Sequence, residues 1–318
     1  MNRFYPLLFC LLMLLSACFK PIEIALPPHE SKLVINSVLS PDFEVSAFVG
    51  ITTASLDQNQ MYDSLLKGAQ LSLWTEQGTR HAFLPSDTII QDTLAFYINN
   101  GDTIYSIREQ YLRGFYLQNP LSITPGHTYR LEAIHPDYEM ASASVMIPQA
   151  VPLQAVSISP NAAVDIEGST YAGVSLEFED PIGANYYHIE ARVVDISSRG
   201  DTSQYKAYLY NLDAIQNASF QESRVFDDQT FEGTKRGITF YVDSWDLDSS
   251  YSDRKLYVRL NATSESFYRY ANSYDKFIFN QDLGIGIFPT EPITIYSNIE
   301  GGYGTLMAVT YGELVEAK

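Results

Sequence analysis

The sequence predicts an all-β protein with one amphipathic helix, arranged as two β-rich units in series. Three observations predict this. Aromatic content is high, with 23 Tyr and 17 Phe, and Tyr, Phe, Val, Ile and Thr suit half-buried strands. Short segments of period-two alternation recur along the chain, separated by Gly and Pro turns. Blocks rich in Ala, Leu, Glu and Lys are scarce, and only one stretch carries an apolar stripe at helical spacing. The chain has 318 residues, and about one domain per 150 residues gives two units.

The N-terminus reads as a lipoprotein signal peptide. Asn2 and Arg3 precede an apolar run from Phe4 to Leu15. The run is too short for a bilayer core, which needs about 20 apolar residues, but it suits a signal peptide over residues 1–17. It ends in Leu15-Ser16-Ala17-Cys18. Small residues let a peptidase reach the backbone, and the thiol of Cys18 then takes a diacylglyceryl thioether, making Cys18 the lipid attachment site. The alternative is a secreted chain with an incidental cysteine. Residues 18–31 form a tether that Pro21, Pro27 and Pro28 keep extended. Cys10 lies in the removed segment, so no thiol is left for a disulfide, a Cys-based zinc site or a nucleophile.

The first unit spans 32–150. Lys32–Ser40 and Phe43–Thr52 read as strands, and Gly68–Trp74 alternates. A Gln77-Gly78 turn and an Ile123–Gly126 turn precede the alternating Tyr129–Ile134, and Ala143–Pro148 closes the unit. The second unit spans 151–318. Its strands are Val156–Ile158, Val174–Phe178, Tyr186–Val194, Ser203–Tyr210, Gly237–Val242, Lys255–Leu260 and Thr305–Tyr311. Between the last two, Ser264–Phe279 is the helix. Phe267, Tyr270, Tyr274 and Phe277 form its stripe, and Thr263 or Ser264 caps its first turn.

No catalytic residue, metal-ligand set or cofactor site is assigned. His29, His81, His127, His135 and His188 are scattered, and no HExxH, GxSxG or GK[ST] motif is present. Gly301-Gly302-Tyr303-Gly304 reads as a turn before the last strand. The acidic groups Asp227-Asp228 and Asp243, Asp246, Asp248 and Asp253 read first as solvated loops. Calcium ligands or a hydrolytic carboxylate pair are the alternatives. The formal net charge of −18 disfavours nucleic acid and anionic headgroups, and is compatible with solubility or a basic partner.

Taken in order, several segments resemble a known family. They are the lipobox at Cys18, Lys32-Leu-Val-Ile35, the Gly68-Ala69 strand and Pro125-Gly126-His-Thr-Tyr129-Arg-Leu131. Phe178-Glu-Asp180-Pro181 with Asn185-Tyr186-Tyr187 follows, then Val225–Asp228 with Phe231-Glu-Gly233, Tyr268–Tyr274 and Ser297–Gly302. The chain resembles the Bacteroidetes cell-envelope lipoproteins grouped as domain-of-unknown-function family 4249. Its first unit is similar to Ig-like or transthyretin-like sandwiches, through an A-x-L-x-L strand and a P-G-x-x-Y-x-L strand. The resemblance implies an outer-membrane lipoprotein, anchored to the membrane by its N-terminal lipid. It also implies an accessory or ligand-binding role beside a TonB-dependent outer-membrane receptor, with no assigned activity and no catalytic residues to carry over.

Phe19-Lys20-Pro21-Ile22-Glu23 lacks the acidic stretch that often marks surface display, so either membrane face stays open. Related hosts O-glycosylate Asp-Ser/Thr-apolar tripeptides, which here occur at 63–65, 87–89, 92–94 and 102–104. The expected function is therefore non-enzymatic partnership with a receptor in uptake. An envelope hydrolase and a structural or adhesive surface protein are the alternatives.

Overall fold

The computed structural model describes residues 30–53, 66–99, 102–197, 202–216, 224–248, 253–283 and 293–318, with backbone alone over 87–99 and 102–113. The expected signal peptide, Cys18 and the expected tether up to residue 29 lie outside the described residues. Strands β1 (Leu33–Leu39), β2 (Ser46–Ile51), β3 (Gln70–Thr75), β4 (Arg80–Asn99), β5 (Asp102–Leu117), β6 (Thr128–His135) and β7 (Tyr138–Met146) come first. They are followed by β8 (Leu153–Val164), β9 (Thr170–Glu179), β10 (Tyr186–Ile196), β11 (Thr202–Ala207) and a short helix α1 (Leu212–Gln216). Next are β12 (Val225–Asp227), β13 (Lys235–Asp243), β14 (Asp253–Thr263), the long helix α2 (Glu265–Leu283), β15 (Tyr303–Thr310) and β16 (Val315–Glu316). The protein is all-β with one long helix. No helix among the described residues is long and apolar enough to cross a membrane.

Eleven of these strands form one continuous path, β11-β10-β14-β15-β1-β2-β5-β4-β3-β6-β7, with β12 added on β10 and β16 on β14. A separate sheet runs β13-β9-β8. Period-two alternation builds two cores from this path. In the first, Leu33, Ile35, Val49 and Leu306 meet Leu71, Leu131, Ala143 and Ile147. In the second, Val174, Leu176 and Phe178 of β9 meet Ile189, Val193, Leu256 and Val258 of β10 and β14. The expected division at 150/151 lies in the segment joining β7 to β8. Strand β15 crosses it, since Leu306 and Ala308, with Ile299, belong to the first core.

The crossing is a parallel pairing of β15 with β1, from Val34↔Tyr303 to Leu39↔Ala308. The Asn36 side chain reinforces it by accepting from Thr305 N–H at 3.1 Å. The other edge of β15 pairs with β14 only at Ala262↔Thr310 and Thr263↔Val309. Beyond that point side chains substitute for a strand. Ser264 Oγ accepts from Ala308 N–H at 2.9 Å, and Ser266 Oγ donates to Leu306 O at 2.8 Å. Asn298 brackets Leu306, accepting from its N–H and donating to its carbonyl, both at 2.9 Å. Ser264 Oγ also accepts from Phe267 N–H at 3.2 Å, and is thus the N-cap of α2. Thr263, the other expected cap, leaves its buried hydroxyl without a partner.

The turn ahead of β15 is tight. Glu300 exchanges two backbone hydrogen bonds with Ser142 of β7, at 2.8 and 3.0 Å. This ties the end of the sheet path to the segment that feeds β15. A Cβ at Gly301 would overlap the Met140 carbonyl oxygen, and one at Gly304 (φ +100°) the Ile35 carbonyl oxygen. Glycine is required at both positions because two backbones approach there without room for a side chain.

The longest strands are β4 and β5. They pair from Phe83↔Leu117 to Asn99↔Asp102. Strand β3 meets β4 only over Arg80–Ala82, and β2 meets β5 only at Phe115 and Tyr116. Residues 87–99 and 102–113 thus pair only with each other, as a two-stranded arm. At about 3.3 Å per residue the arm is roughly 40 Å long.

The β1–β15 contact predicts unequal costs for two glycine substitutions. Gly304→Ala is expected to lower unfolding free energy by about 3 kcal/mol or more, because backbone must move as well as adopt a strained φ. Gly78→Ala, in an open turn at φ +79° with nothing within 4 Å, should cost about 1 kcal/mol from backbone strain alone. Urea denaturation of both variants decides it, and equal losses would show that β15 does not depend on the close approach.

Candidate functional site

Alternation along β10 sends Tyr187, Ile189, Ala191 and Val193 into the second core. It leaves Tyr186, His188, Glu190 and Arg192 on the outer face. Register then places chemistry across the strands: His188 lies opposite Asn261 and Glu190 opposite Arg259 on β14, and Arg192 opposite Lys206 on β11. Helix α2 covers one end of this face, with Tyr268 at 5.2 Å from Tyr186 and Phe267 at 5.4 Å from His188, ring to ring. On the β10–β11 surface lies a cleft of about 420 Å³, lined by His188, Glu190, Arg192, Lys206 and Arg224 among others. That volume falls in the range of small-ligand sites.

The cleft is basic. Its one carboxylate, Glu190, is taken up by Arg259, which donates through Nε at 2.7 Å and also through Nη2. The Arg259 guanidinium lies 4.0 Å over the Tyr311 ring. Arg192 Nη2 stands 3.8 Å from Glu190, and Arg224 Nη2 3.4 Å from Asp275 of α2. His188 is the cleft's titratable centre. Burial pushes its pKa down to about 4; Glu190 opposes the shift, while Arg224, Lys206 and Arg259 add to it. Asn261 Oδ1 accepts from Gly312 N–H at 3.2 Å, so its amide NH₂ faces His188 Nδ1 at 3.3 Å. Nδ1 is then the acceptor, and the neutral ring carries its proton on Nε2.

Three of the acidic residues singled out in the sequence, Asp228, Asp243 and Asp246, are held by local partners. Asp228 is buried and accepts from Asn185 N–H at 2.8 Å and Asn185 Nδ2 at 3.1 Å. Asp243 caps a 3-10 turn by accepting from Trp245 N–H at 2.8 Å. Asp246 accepts from the Tyr205 hydroxyl at 3.1 Å, and burial raises its pKa. Among the described residues no three His, Cys, Asp or Glu side chains form a cation site. The histidines stay dispersed: His127 faces Glu76 at 3.3 Å, and His135 contacts the Lys67 carbonyl at 3.0 Å. His29 lies outside the described residues.

Among the other clefts of the described surface, two differ in character. The larger, about 630 Å³, opens near the junction of the two cores among Pro148, Ile182, Asn185, Tyr186, Glu265 and Tyr296. Another, about 320 Å³, is lined by two carboxylates, Asp42 and Glu44. Asp42 Oδ2 already accepts from Ser40 Oγ at 3.2 Å and from Tyr311 N–H at 3.1 Å. Of the four Asp-Ser/Thr-apolar tripeptides, 87–89, 92–94 and 102–104 lie on the β4–β5 arm. The one at 63–65 lies outside the described residues.

Two of the segments that carried the family resemblance, within 178–187 and 225–233, converge on a knot beside the second core. The Tyr187 hydroxyl donates to Asp180, whose other oxygen accepts from Gly233 N–H at 2.7 Å. Burial first, then the Asp180 carboxylate, raises the Tyr187 pKa. Around this pair, Phe178, Phe226 and Phe231 pack at 5.1 to 6.3 Å between ring centroids. Sequence reasoning found these residues, but missed Arg192, Lys206 and Arg224. The usable signal was the polar series 186, 188, 190, 192 on a strand whose alternate residues are apolar.

The depressed His188 pKa carries a stability consequence. Between about 6.5, the value for a free imidazole, and about 4, the unfolded chain binds a proton that the folded chain does not. Stability is therefore full above that window and falls as pH drops through it, by up to roughly 3 kcal/mol. In His188→Gln this component should vanish, so the stability difference between pH 7 and pH 4.5, measured by urea denaturation, should shrink relative to the parent. An unchanged difference would mean that His188 is not held neutral.

Comparison with curated proteins finds no match. Among solved structures, the chain is similar to one titled "Biofilm associated protein - B domain", at 7% identity, covering 88% of this chain and 85% of that one. The TM-score is 0.17, and no argument is drawn from that likeness. The family model described as "Domain of unknown function (DUF4249)" matches residues 20–314, nearly the whole described fold, and the chain belongs to that family.

Proposed function

We propose that the chain is a non-enzymatic outer-membrane lipoprotein, anchored through lipid on Cys18, that acts as an accessory or ligand-binding partner of a TonB-dependent receptor in uptake. The observation that carries this reading is the β4–β5 arm. A two-stranded ribbon alone in water is marginally stable, and its outer backbone edges are ready to pair with another chain. Addition of a strand to such an edge is a common recognition mode. An arm of this length suits a protein that works against a membrane partner. Lipid chemistry supports the anchoring: each buried CH₂ contributes about 0.8 kcal/mol, and more than one acyl chain makes attachment stable.

Two experiments test the reading. Cys18→Ala should abolish incorporation of labelled fatty acid and move the chain out of the membrane fraction; retention of both label and fractionation would refute lipidation at Cys18. In the second, tagged protein is purified from its native membranes in mild detergent, and its partners are identified by mass spectrometry. A stoichiometric TonB-dependent receptor is expected. It should be lost when residues 87–113 are replaced by Asn-Gly, a turn that joins the paired residues Ser86 and Gly114. A receptor that stays bound to the shortened chain rules out the arm as the contact. No receptor with either protein overturns the partnership.

A further inference from the structure

The cleft at the junction of the two cores holds hydrogen-bond donors that the fold leaves unused. Helix α2 starts in its wall, with Ser264, Glu265 and Ser266 among the lining residues. The side chains of Ser264 and Ser266 are occupied with β15. In the first turn, Phe267 N–H donates to Ser264 Oγ and Tyr268 N–H to the Ser264 carbonyl, both at 3.2 Å. The N–H groups of Glu265 and Ser266 take no partner among the described residues. They stand at the positive end of a helix of 19 residues, where free N–H groups and the helix dipole favour an anion. Thr263 adds an independent observation. It shares a face with Tyr186, its cross-strand partner, and both line the cleft. Thr263 is 3% exposed, and its hydroxyl has no partner. Leaving a buried hydroxyl unsatisfied destabilises a fold.

Much of the remaining wall is apolar. Ile182 is 91% exposed and Met146 61%, so two large apolar side chains of one concavity are left in water, with Pro148 and Tyr296 in the same wall. No Lys, Arg or His lines it. Its carboxylate, Glu265, is paired with Arg269 one turn along α2 at 2.6 Å, and that pair adds no net charge. We propose that this cleft binds a small amphiphilic carboxylate, a ligand with one carboxylate group and an apolar body. The carboxylate accepts from the Glu265 and Ser266 N–H groups and from the Thr263 hydroxyl, and the body covers Met146 and Ile182. A more highly charged anion such as phosphate would lack the cations that ordinarily balance it. About 630 Å³ is in the range of small-ligand sites. The proposal deepens the ligand-binding half of the reading above and rests on that half, not on the receptor. Carboxylate binding without a copurifying receptor leaves the cleft assignment standing, and a copurifying receptor without carboxylate binding does the reverse.

The test is calorimetric titration of the full chain in detergent with sodium phenylbutyrate and, separately, sodium hexanoate, each against a blank of detergent alone. Saturable, one-to-one binding of at least one of them is expected, and which one binds shows whether the body is aromatic or aliphatic. Phenylbutanol and hexanol, which keep the body and lose the carboxylate, should bind about tenfold more weakly, near 1.4 kcal/mol. Glu265→Pro removes the first free N–H at a helix position where proline is tolerated, whereas Glu265→Ala removes only the carboxylate. The proline variant should bind about tenfold more weakly than the alanine variant, which should bind at least as tightly as the parent. Ile182→Asp, at a side chain already in water, and Thr263→Val, which removes the unpartnered hydroxyl, should each weaken binding while keeping the urea midpoint of the parent or raising it. These two separate loss of binding from loss of fold if the proline variant does not fold. Absence of saturable binding by either carboxylate, binding of the alcohols as tight as that of the acids, or parent-like binding by Glu265→Pro, Ile182→Asp or Thr263→Val overturns the proposal.

Discussion

The parallel pairing of β15 with β1 is the constraint on which the rest depends. It joins strands almost at opposite ends of the described chain, and it merges what would be two sandwiches into one continuous sheet. Everything around β15 is organised to admit it. Gly301 and Gly304 give up side chains so that two backbones can touch. Asn36 secures one edge, and Ser264, Ser266 and Asn298 satisfy the other, where β14 has turned away. A buried backbone group without a partner costs as much as a lost hydrogen bond. Ser264 therefore has two tasks, capping α2 and closing the β15 ladder, and the helix starts where it does because the sheet edge needs that oxygen.

The same reasoning gives physical content to the family's motifs. Ser297–Gly302 is the bracket and turn that deliver β15. Pro125-Gly126 with Tyr129 is another such device, in which the Tyr129 hydroxyl accepts from Thr124 N–H at 3.1 Å across the turn. Asp180, Asn185, Tyr187, Asp228 and Gly233 tie the loops at one end of the second core, with Phe178, Phe226 and Phe231 filling the space. These are constraints of folding. Family membership here specifies a scaffold, and function has to be read from the surfaces that the scaffold presents.

How much of this was legible follows from which forces leave a local trace. Strands such as β6 and β10 have one face in a core and one outside, so Tyr129–Ile134 and Tyr186–Val194 alternate visibly. Helix α2 was legible from Phe267, Tyr270 and Tyr274 at helical spacing, with a capping residue just before. The β4–β5 arm was not marked. Thr88–Tyr97 mixes apolar and polar residues without a period-two pattern, so the sequence carries no sign of a strand there. The β1–β15 pairing leaves no local trace either, because its partners lie 269 positions apart at Asn36 and Thr305. The basic cleft was hidden for a related reason. Its cations come from β10, β11 and the approach to β12, and a linear reading meets them far apart in the chain.

The acidic residues drew attention first, and the structure shows why they are weak candidates. Asp228, Asp243 and Asp246 each accept hydrogen bonds from nearby groups, which is what carboxylates in turns and caps ordinarily do. A carboxylate so engaged is a structural part, and its number in the chain says little about a site. Cations in a strongly acidic protein meet the converse situation. With 38 acidic residues against 20 Lys and Arg, a cation has acidic neighbours in abundance with which to pair. Arg192 and Arg224 have such neighbours, Glu190 at 3.8 Å and Asp275 at 3.4 Å, so that ion pairs tie β10 and the approach to β12 to the surrounding elements.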